Sequence, residues 1–324
     1  MTEKNEMTIK FWGVRGSYPT PGAETVGIGG NTACVEVNVA GRTIILDAGT
    51  GIIPLGRDLM RRAQGKPLNL TLVFSHMHHD HTQGFPFFAP AFVPSTRMHI
   101  FGPQTFQRDL EQVLGANMIP PVFPITLQDM GAAKHIQGVS ENQVILLDEN
   151  GPASVVLAGS PEARDENCVR IRMLKSAAHP GGVMVYRIEY RDLSMVYATD
   201  SEGYVQADQK LVAFARGANM LIHDAQYLED HYLGQNGFRS TQGWGHSTAA
   251  MACEVAKQAG VKKLALFHHD PSYADETVEA IEAGAQARFW DVVAAREGLE
   301  IRLTPSLPIE RMAVSNARWA AAAA

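Results

Sequence analysis

Short apolar runs, separated by glycine, proline, asparagine and aspartate, recur in the first third of the chain and predict β-strands. One run covers residues 8–12, and two more cover residues 32–39 and 42–49. A helix is predicted from about residue 53 to residue 63. The continuous apolar run 68–74 is typical of a buried strand, and it ends where a group of histidines begins.

The strand pattern returns in the second half of the chain. The predicted strands, each with the polar residues that follow it, cover residues 169–179, 182–190, 194–202, 218–227 and 263–271. Helical patterns cover residues 248–260 and 275–297. Strands that alternate with helices in this way predict a mixed α/β fold with its chemistry at the ends of the strands.

The middle of the chain, around residues 91–165, mixes strand-like pieces with one helix near residues 104–114. We predict an insertion or a lid there. No charged or Gly/Ser-rich linker divides the chain into halves. One domain is therefore expected over residues 1–312, followed by a low-complexity tail over residues 313–324.

Composition narrows the class of protein. Hydrophobic residues make up 45% of the chain and charged residues 19%, which is ordinary for a globular protein. The net charge of −6 argues against a general basic surface for long nucleic acids. The chain shows no secretory signal or membrane-span pattern, and its three cysteines form no CxxC pair. We expect a cytoplasmic protein with reduced thiols and no membrane partner.

Four of the twelve histidines lie within the single stretch FSHMHHDHT, residues 74–82. His76 and His78 alternate along an extended segment, so they project to the same side. Asp80 and His81 follow as the chain turns and can reach a second point nearby. Imidazole nitrogen with carboxylate oxygen is a ligand set that suits Zn²⁺, and also Mn²⁺ or Fe²⁺.

Three later strands also end in a residue able to bind a metal: His179, Asp200 and His268. His269 is an alternative to His268, which is favoured because it directly follows the apolar run. The total of six or seven ligands is too many for one tetrahedral ion. It suits two divalent ions about 3.5–4 Å apart.

The motif His76-x-His78-x-Asp80-His81 has the HxHxDH form of the metallo-β-lactamase superfamily, and ILDAGTG precedes it as in that superfamily. The resemblance implies an α/β (α+β) fold, a four-layer αββα sandwich with a dinuclear site at one edge. It assigns His76, His78 and His179 to one ion, Asp80, His81 and His268 to the other, and Asp200 to a bridge between them. It also implies that Asp47 braces the histidine loop, although a helix N-cap is the commoner use of such a residue.

The segments LIHDAQY and WGHSTAA resemble the phosphodiesterase branch, which includes RNase Z and small cyclic-phosphate phosphodiesterases. This resemblance places Asp224 and His246 as a pair. A histidine braced by a carboxylate can protonate a departing alkoxide. The alternative is a purely structural hydrogen bond between the two residues.

The chain departs from RNase Z in the segment FHHDPSY and in lacking an evident basic Gly/Pro-rich arm. A small or cyclic phosphodiester is therefore the leading substrate class, and RNA is second. We expect a hydroxide that bridges the two ions, Zn²⁺ being preferred, to attack phosphorus. Asp80 and Asp200 would orient it, and His246 would donate a proton to the leaving oxygen. A carboxylic ester, thioester or lactone hydrolase and a non-catalytic binding protein are the alternatives from other classes, and a homodimer is the candidate assembly.

Overall fold

The computed structural model describes residues 5–104, 109–148, 151–203 and 206–305, and the predicted tail over residues 313–324 lies outside them. The strands are β1 (Met7–Gly13), β2 (Cys34–Val39), β3 (Arg42–Leu46), β4 (Asn69–Val73), β5 (Arg97–Pro103), β6 (Ala133–Val139), β7 (Gln143–Leu147), β8 (Ala153–Leu157), β9 (Val169–Ser176), β10 (Val183–Tyr190), β11 (Leu193–Ala198), β12 (Met220–Asp224), β13 (Lys263–Phe267), β14 (Val292–Ala294) and β15 (Glu300–Leu303). The α-helices are α1 (Ile52–Ala63), α2 (His79–Thr82), α3 (Leu110–Ala116), α4 (Gln209–Ala215), α5 (Glu229–Leu233), α6 (Ala249–Ala259) and α7 (Asp275–Gln286).

The strands form two sheets. The first sheet has the order β15-β1-β2-β3-β4-β5-β6, and the second has the order β14-β13-β12-β11-β10-β9-β7-β8. In the second sheet β11, β12 and β13 are parallel, and β10 is antiparallel to both β9 and β11. Strands β9, β11, β12 and β13 therefore all run in one direction, and their carboxyl ends lie at the same edge.

Side-chain alternation along the strands explains the layers. In β3, Ile44 and Leu46 lie in the core between the sheets, whereas Ile45 lies in a second core beneath α1. Phe11 of the first sheet meets Phe267 of the second, with ring centroids 6.0 Å apart. Helices α1 and α3 pack on the first sheet, and α6 and α7 pack on the second. The predicted four-layer αββα sandwich is confirmed.

The middle segment, predicted as an insertion or lid over residues 91–165, supplies two strands to each sheet. Strands β5 and β6 extend the first sheet, and β7 and β8 extend the second. Described residues between β5 and β6 lie beside the histidine loop. There Val122 and Phe123, with Met77 and Phe87, line a cavity of about 210 Å³. Part of the predicted insertion is therefore integral to the two sheets.

The helix predicted over residues 275–297 is wrong in its second half. Helix α7 ends at Gln286, and Val292–Ala294 forms β14, which pairs in parallel with β13. Backbone pairing with a buried strand outweighs the local helical pattern here.

The composition predicted no membrane-spanning segment and no paired cysteines. Within the described residues, no helix is long and apolar enough to cross a membrane. Cys34, Cys168 and Cys253 are buried free thiols.

Candidate metal centre

Six polar segments meet at the edge where the parallel strands end. Four segments follow strands: His76, His78, Asp80 and His81 follow β4, His179 follows β9, Asp200 follows β11 and His268 follows β13. In the other two segments, Asp224 is the last residue of β12 and His246 lies just before α6. Hydrogen bonding between parallel strands fixes where each strand ends. The fold alone therefore brings these side chains together at one edge.

Three residues at the ends of these strands adopt a left-handed backbone conformation that is unusual for residues other than glycine. The φ angles are 61° at Asp47, 50° at Asp200 and 64° at His268. Such a conformation costs of order 1–3 kcal/mol per residue and persists where the surroundings impose it. Its presence at three positions of one edge is consistent with a candidate functional site there.

The first group of candidate ligands is His76, His78 and His179. Nδ1 of His78 lies 3.0 Å from Nε2 of His179. One oxygen of Asp200, Oδ2, lies 3.6 Å from Nε2 of His76 and 3.8 Å from Nε2 of His179. Nε2 of His76 is buried and has no hydrogen-bond partner among the described residues. A buried nitrogen without a partner is costly unless a further group binds it.

The second group is Asp80, His81 and His268, and it faces the other oxygen of Asp200. Oδ1 of Asp200 lies 3.2 Å from Nε2 of His81 and 3.3 Å from Nε2 of His268. Oδ2 of Asp80 lies 3.4 Å from Nε2 of His81 and 3.2 Å from Nε2 of His268. The two oxygens of Asp200 thus face two different groups, which is the arrangement of a bridging carboxylate.

The charge states of Asp200 and His76 suit cation binding. Burial raises the pKa of the Asp200 carboxyl, but the neighbouring His268, His81 and His76 outweigh burial and hold this pKa well below its usual range. Burial lowers the pKa of His76, so its imidazole is neutral. An ionised carboxylate and a neutral imidazole are the forms that bind a metal. Because Nε2 of His76 also lacks a hydrogen-bond partner among the described residues, these residues fit divalent ions.

Asp47 braces the histidine loop. Its Oδ1 accepts a hydrogen bond of 2.7 Å from the backbone N–H of Ser75, and its Oδ2 accepts one of 2.7 Å from the Ser75 hydroxyl. Oδ2 also lies 2.8 Å from Nδ1 of His81 and accepts a bond of 2.8 Å from the hydroxyl of Tyr197. The cap of α1 is Gly51, without a side-chain bond, so Asp47 is not a helix cap. Holding Nδ1 of His81 leaves Nε2 free towards Asp200.

Two further residues orient the second group. The carbonyl oxygen Oε1 of Gln226 lies 2.9 Å from Nδ1 of His268, which must be the donor. The backbone N–H of Ser17 donates to Oδ2 of Asp80 at 2.7 Å. Sequence reasoning missed both, as it missed Tyr197. Gln226 lies two residues after Asp224, which is a usable signal, whereas Ser17 reaches the site only through the packing of the loop after β1.

His246 and Asp224 form a close pair. Nδ1 of His246 lies 2.7 Å from Oδ2 of Asp224, and Oδ1 of Asp224 accepts a bond of 2.8 Å from the N–H of Ser247. Burial lowers the pKa of His246, but the Asp224 carboxylate outweighs it and raises this pKa to about 9. A ring nitrogen of His246 lies within 4.8 Å of the candidate ligand atoms of His179 and Asp200. A histidine paired with a carboxylate therefore lies beside the candidate metal ligands.

The neighbouring histidines lie outside this cluster. Nε2 of His269 lies 2.9 Å from the carbonyl oxygen of Ala295, away from the candidate ligands. Burial lowers the pKa of His269 to about 3. His79 is exposed on α2 and belongs to none of the groups of close ligand atoms. The structure therefore brings His268, rather than His269 or His79, into the site.

Known proteins resemble this chain over most of its length. The family model for the beta-lactamase superfamily domain matches residues 42–269. A ribonuclease Z of Haloarcula marismortui is 26% identical over 323 residues, covering 92% of this chain and 97% of that protein.

Solved structures show the same fold. The metallo-beta-lactamase fold protein YhfI of Bacillus subtilis superposes with a TM-score of 0.62 at 20% identity, covering 93% of this chain and 100% of that chain. A diphosphatase from the PhnP family superposes with a TM-score of 0.59 at 17% identity, covering 91% of this chain and 97% of that chain. With the family match spanning most of the sequence, the chain belongs to the beta-lactamase superfamily and is a hydrolase.

Proposed function

We propose that this hydrolase is a dinuclear metal-dependent phosphodiesterase that acts on a small or cyclic phosphodiester. The observation that carries the proposal is the His246–Asp224 pair beside a cluster that Asp200 divides into two ligand groups. Two cations would stabilise the negative charge on a phosphate, and the histidine would supply the proton that an alkoxide leaving group needs.

His76, His78 and His179 would hold one ion, Asp80, His81 and His268 the other, and Asp200 both. Zn²⁺ is the preferred ion for this mixture of imidazole and carboxylate, with Mn²⁺ or Fe²⁺ as alternatives. When bound there, the ions would lower the pKa of a water molecule and offset the charge that develops on the phosphate oxygens.

The residues of the chain itself supply positioning and proton transfer. The Ser17 N–H fixes one oxygen of Asp80, so the carboxylate can orient an attacking water. Asp224 holds Nδ1 of His246 and leaves Nε2 to donate to the leaving oxygen. Two cations near His246 would lower its pKa from about 9 towards neutrality, where a general acid is most effective.

RNA processing is the second candidate. The similarity to proteins named ribonuclease Z over nearly the full length favours it. The net charge of −6 opposes it, because RNA binding depends on neutralising phosphates with basic side chains. Hydrolysis of an ester, thioester or lactone with the same metal ions is a third candidate. A thiolate leaving group needs no proton, so a thioester hydrolase would gain little from the His246–Asp224 pair.

A substrate panel tests the proposal. Metal-loaded protein would be assayed on a bis-aryl phosphate, cyclic nucleotides, a precursor tRNA, a lactone and a β-lactam. We expect turnover of the aryl and cyclic diesters at rates well above those of the other substrates. Efficient cleavage of the precursor tRNA alone would favour the ribonuclease, and turnover of the lactone with inert diesters would contradict phosphodiesterase activity.

The ligand count predicts about two ions per chain. Elemental analysis of protein saturated with Zn²⁺ or Mn²⁺ and then freed of excess metal would measure the ratio. A ratio that stays at one under saturation would contradict the dinuclear centre, because Asp200 would then have only one ion to bind.

A further inference from the structure

Two glycines that precede His246 in its loop both donate to one carboxylate, that of Glu202. Oε1 of Glu202 accepts a bond of 2.7 Å from the backbone N–H of Gly243, and Oε2 accepts one of 2.9 Å from the N–H of Gly245. The hydroxyl of Tyr232 donates to Oε1 at 2.8 Å. Glu202 lies only two residues after Asp200, so the same chain segment carries the bridging carboxylate and the anchor of the loop.

Gly245 connects this anchor to the metal cluster. Its carbonyl oxygen lies 3.3 Å from Nδ1 of His179, which must therefore be the donor. A Cβ on Gly245 would lie 2.3 Å from that same nitrogen, and the φ angle of 92° favours glycine. The residue immediately before His246 thus receives support from Glu202 and gives support to His179.

We propose that Glu202 is a positioning residue, which holds the loop 243–246 so that His246 reaches the leaving oxygen while His179 keeps its orientation. The proposal rests on the function proposed above. Glu202 itself touches no reacting atom. It acts through the two main-chain N–H groups that it fixes on either side of Trp244.

Replacing Glu202 by glutamine separates this role from simple packing, because glutamine has nearly the same shape and only one acceptor oxygen. If that oxygen takes the place of Oε1, the amide NH₂ faces the N–H of Gly245. If it takes the place of Oε2, the NH₂ faces the N–H of Gly243. In either orientation the loop loses one of its two bonds to the side chain.

Hydrogen exchange of metal-free protein measures the anchoring without any substrate. In Glu202→Gln we expect the amide of Gly243 or that of Gly245, whichever loses its acceptor, to exchange about 10-fold faster or more, since a hydrogen bond to a charged group is lost. Tyr232→Phe is the matched control, because it removes a bond to the same carboxylate from outside the loop. Unchanged exchange in Glu202→Gln, or equal acceleration in both variants, would overturn the anchoring.

Kinetics then test whether the anchor serves His246. On a cyclic nucleotide, Glu202→Gln should lower kcat about 10–100-fold, and on a bis-nitrophenyl phosphate it should lower kcat much less. Added to His246→Ala, the same change should cause little further loss on the cyclic nucleotide, because both act through one proton donor. Equal losses on both substrates, or losses that multiply in the double variant, would overturn the positioning role. A wild-type protein inactive on both diesters would refute the proposed function, while the exchange result would still decide whether Glu202 anchors the loop.

Discussion

Replacement of Asp200 by alanine is expected to abolish turnover and to weaken the binding of both ions. One oxygen of this carboxylate faces the group of His76 and His179, and the other faces the group of His81 and His268. Loss of a supporting residue around a metal already costs about 10–100-fold in affinity or activity, and loss of a shared ligand should cost more. Metal content after dialysis and the rate on a bis-aryl phosphate would measure both effects.

His79→Ala is the matched control, because His79 lies between two proposed ligands in sequence yet is exposed and outside the cluster. We expect this variant to keep its metals and its activity. If the two variants lost metal to the same extent, the assignment of ligands within the histidine loop would be wrong.

His246→Ala is expected to lose about 10²–10⁴-fold on an alkyl or cyclic-nucleotide diester, because a poor leaving group needs a proton. The same variant should retain its metals and most of its turnover of a bis-nitrophenyl phosphate, since nitrophenolate leaves without help. Parallel assays on the two substrates, with metal content measured on the same preparations, would show the difference.

Asp224→Ala should give the same pattern with a smaller loss, because Asp224 only orients and charges the imidazole through its 2.7 Å bond to Nδ1. Equal losses on the two substrates with the metals intact would assign His246 to phosphate binding or to structure. A large loss in Asp224→Ala with none in His246→Ala would contradict their action as a pair.

The candidate ligands that the sequence predicted lie together in the fold, because each depends on local features. His76 to His81 form one short motif, and His179, Asp200 and His268 follow apolar strands that run in the same direction in one sheet, so that their ends lie at one edge. Asp47 was expected beside them, but Gln226, Ser17 and Tyr197 were missed. Tyr197 reaches Asp47 from the other sheet, and the position of its hydroxyl depends on how the two sheets pack, which no local pattern encodes.

The errors in secondary structure have the same origin. Residues 287–297 have a helical pattern, but Val292–Ala294 pairs with β13, and pairing with a distant strand is invisible to local periodicity. Strands β5 to β8 were assigned to an insertion or lid, although β5 and β7 each pair with two neighbouring strands inside a sheet. Long-range backbone pairing therefore marks the limit of prediction for this fold.

The pairing of β1 with β15 has a consequence for synthesis on the ribosome. Ile9 lies opposite Ile301, so one edge of β1 has no partner until almost 300 residues have been made. An uncovered strand edge is a site for pairing with other chains, and nascent chains fold from the N-terminus onwards. Lys10, whose ammonium lies over the ring of Trp12, puts a charge on this strand. Such a charge opposes pairing with other chains, so we expect Lys10 to protect the nascent protein until β15 has been made.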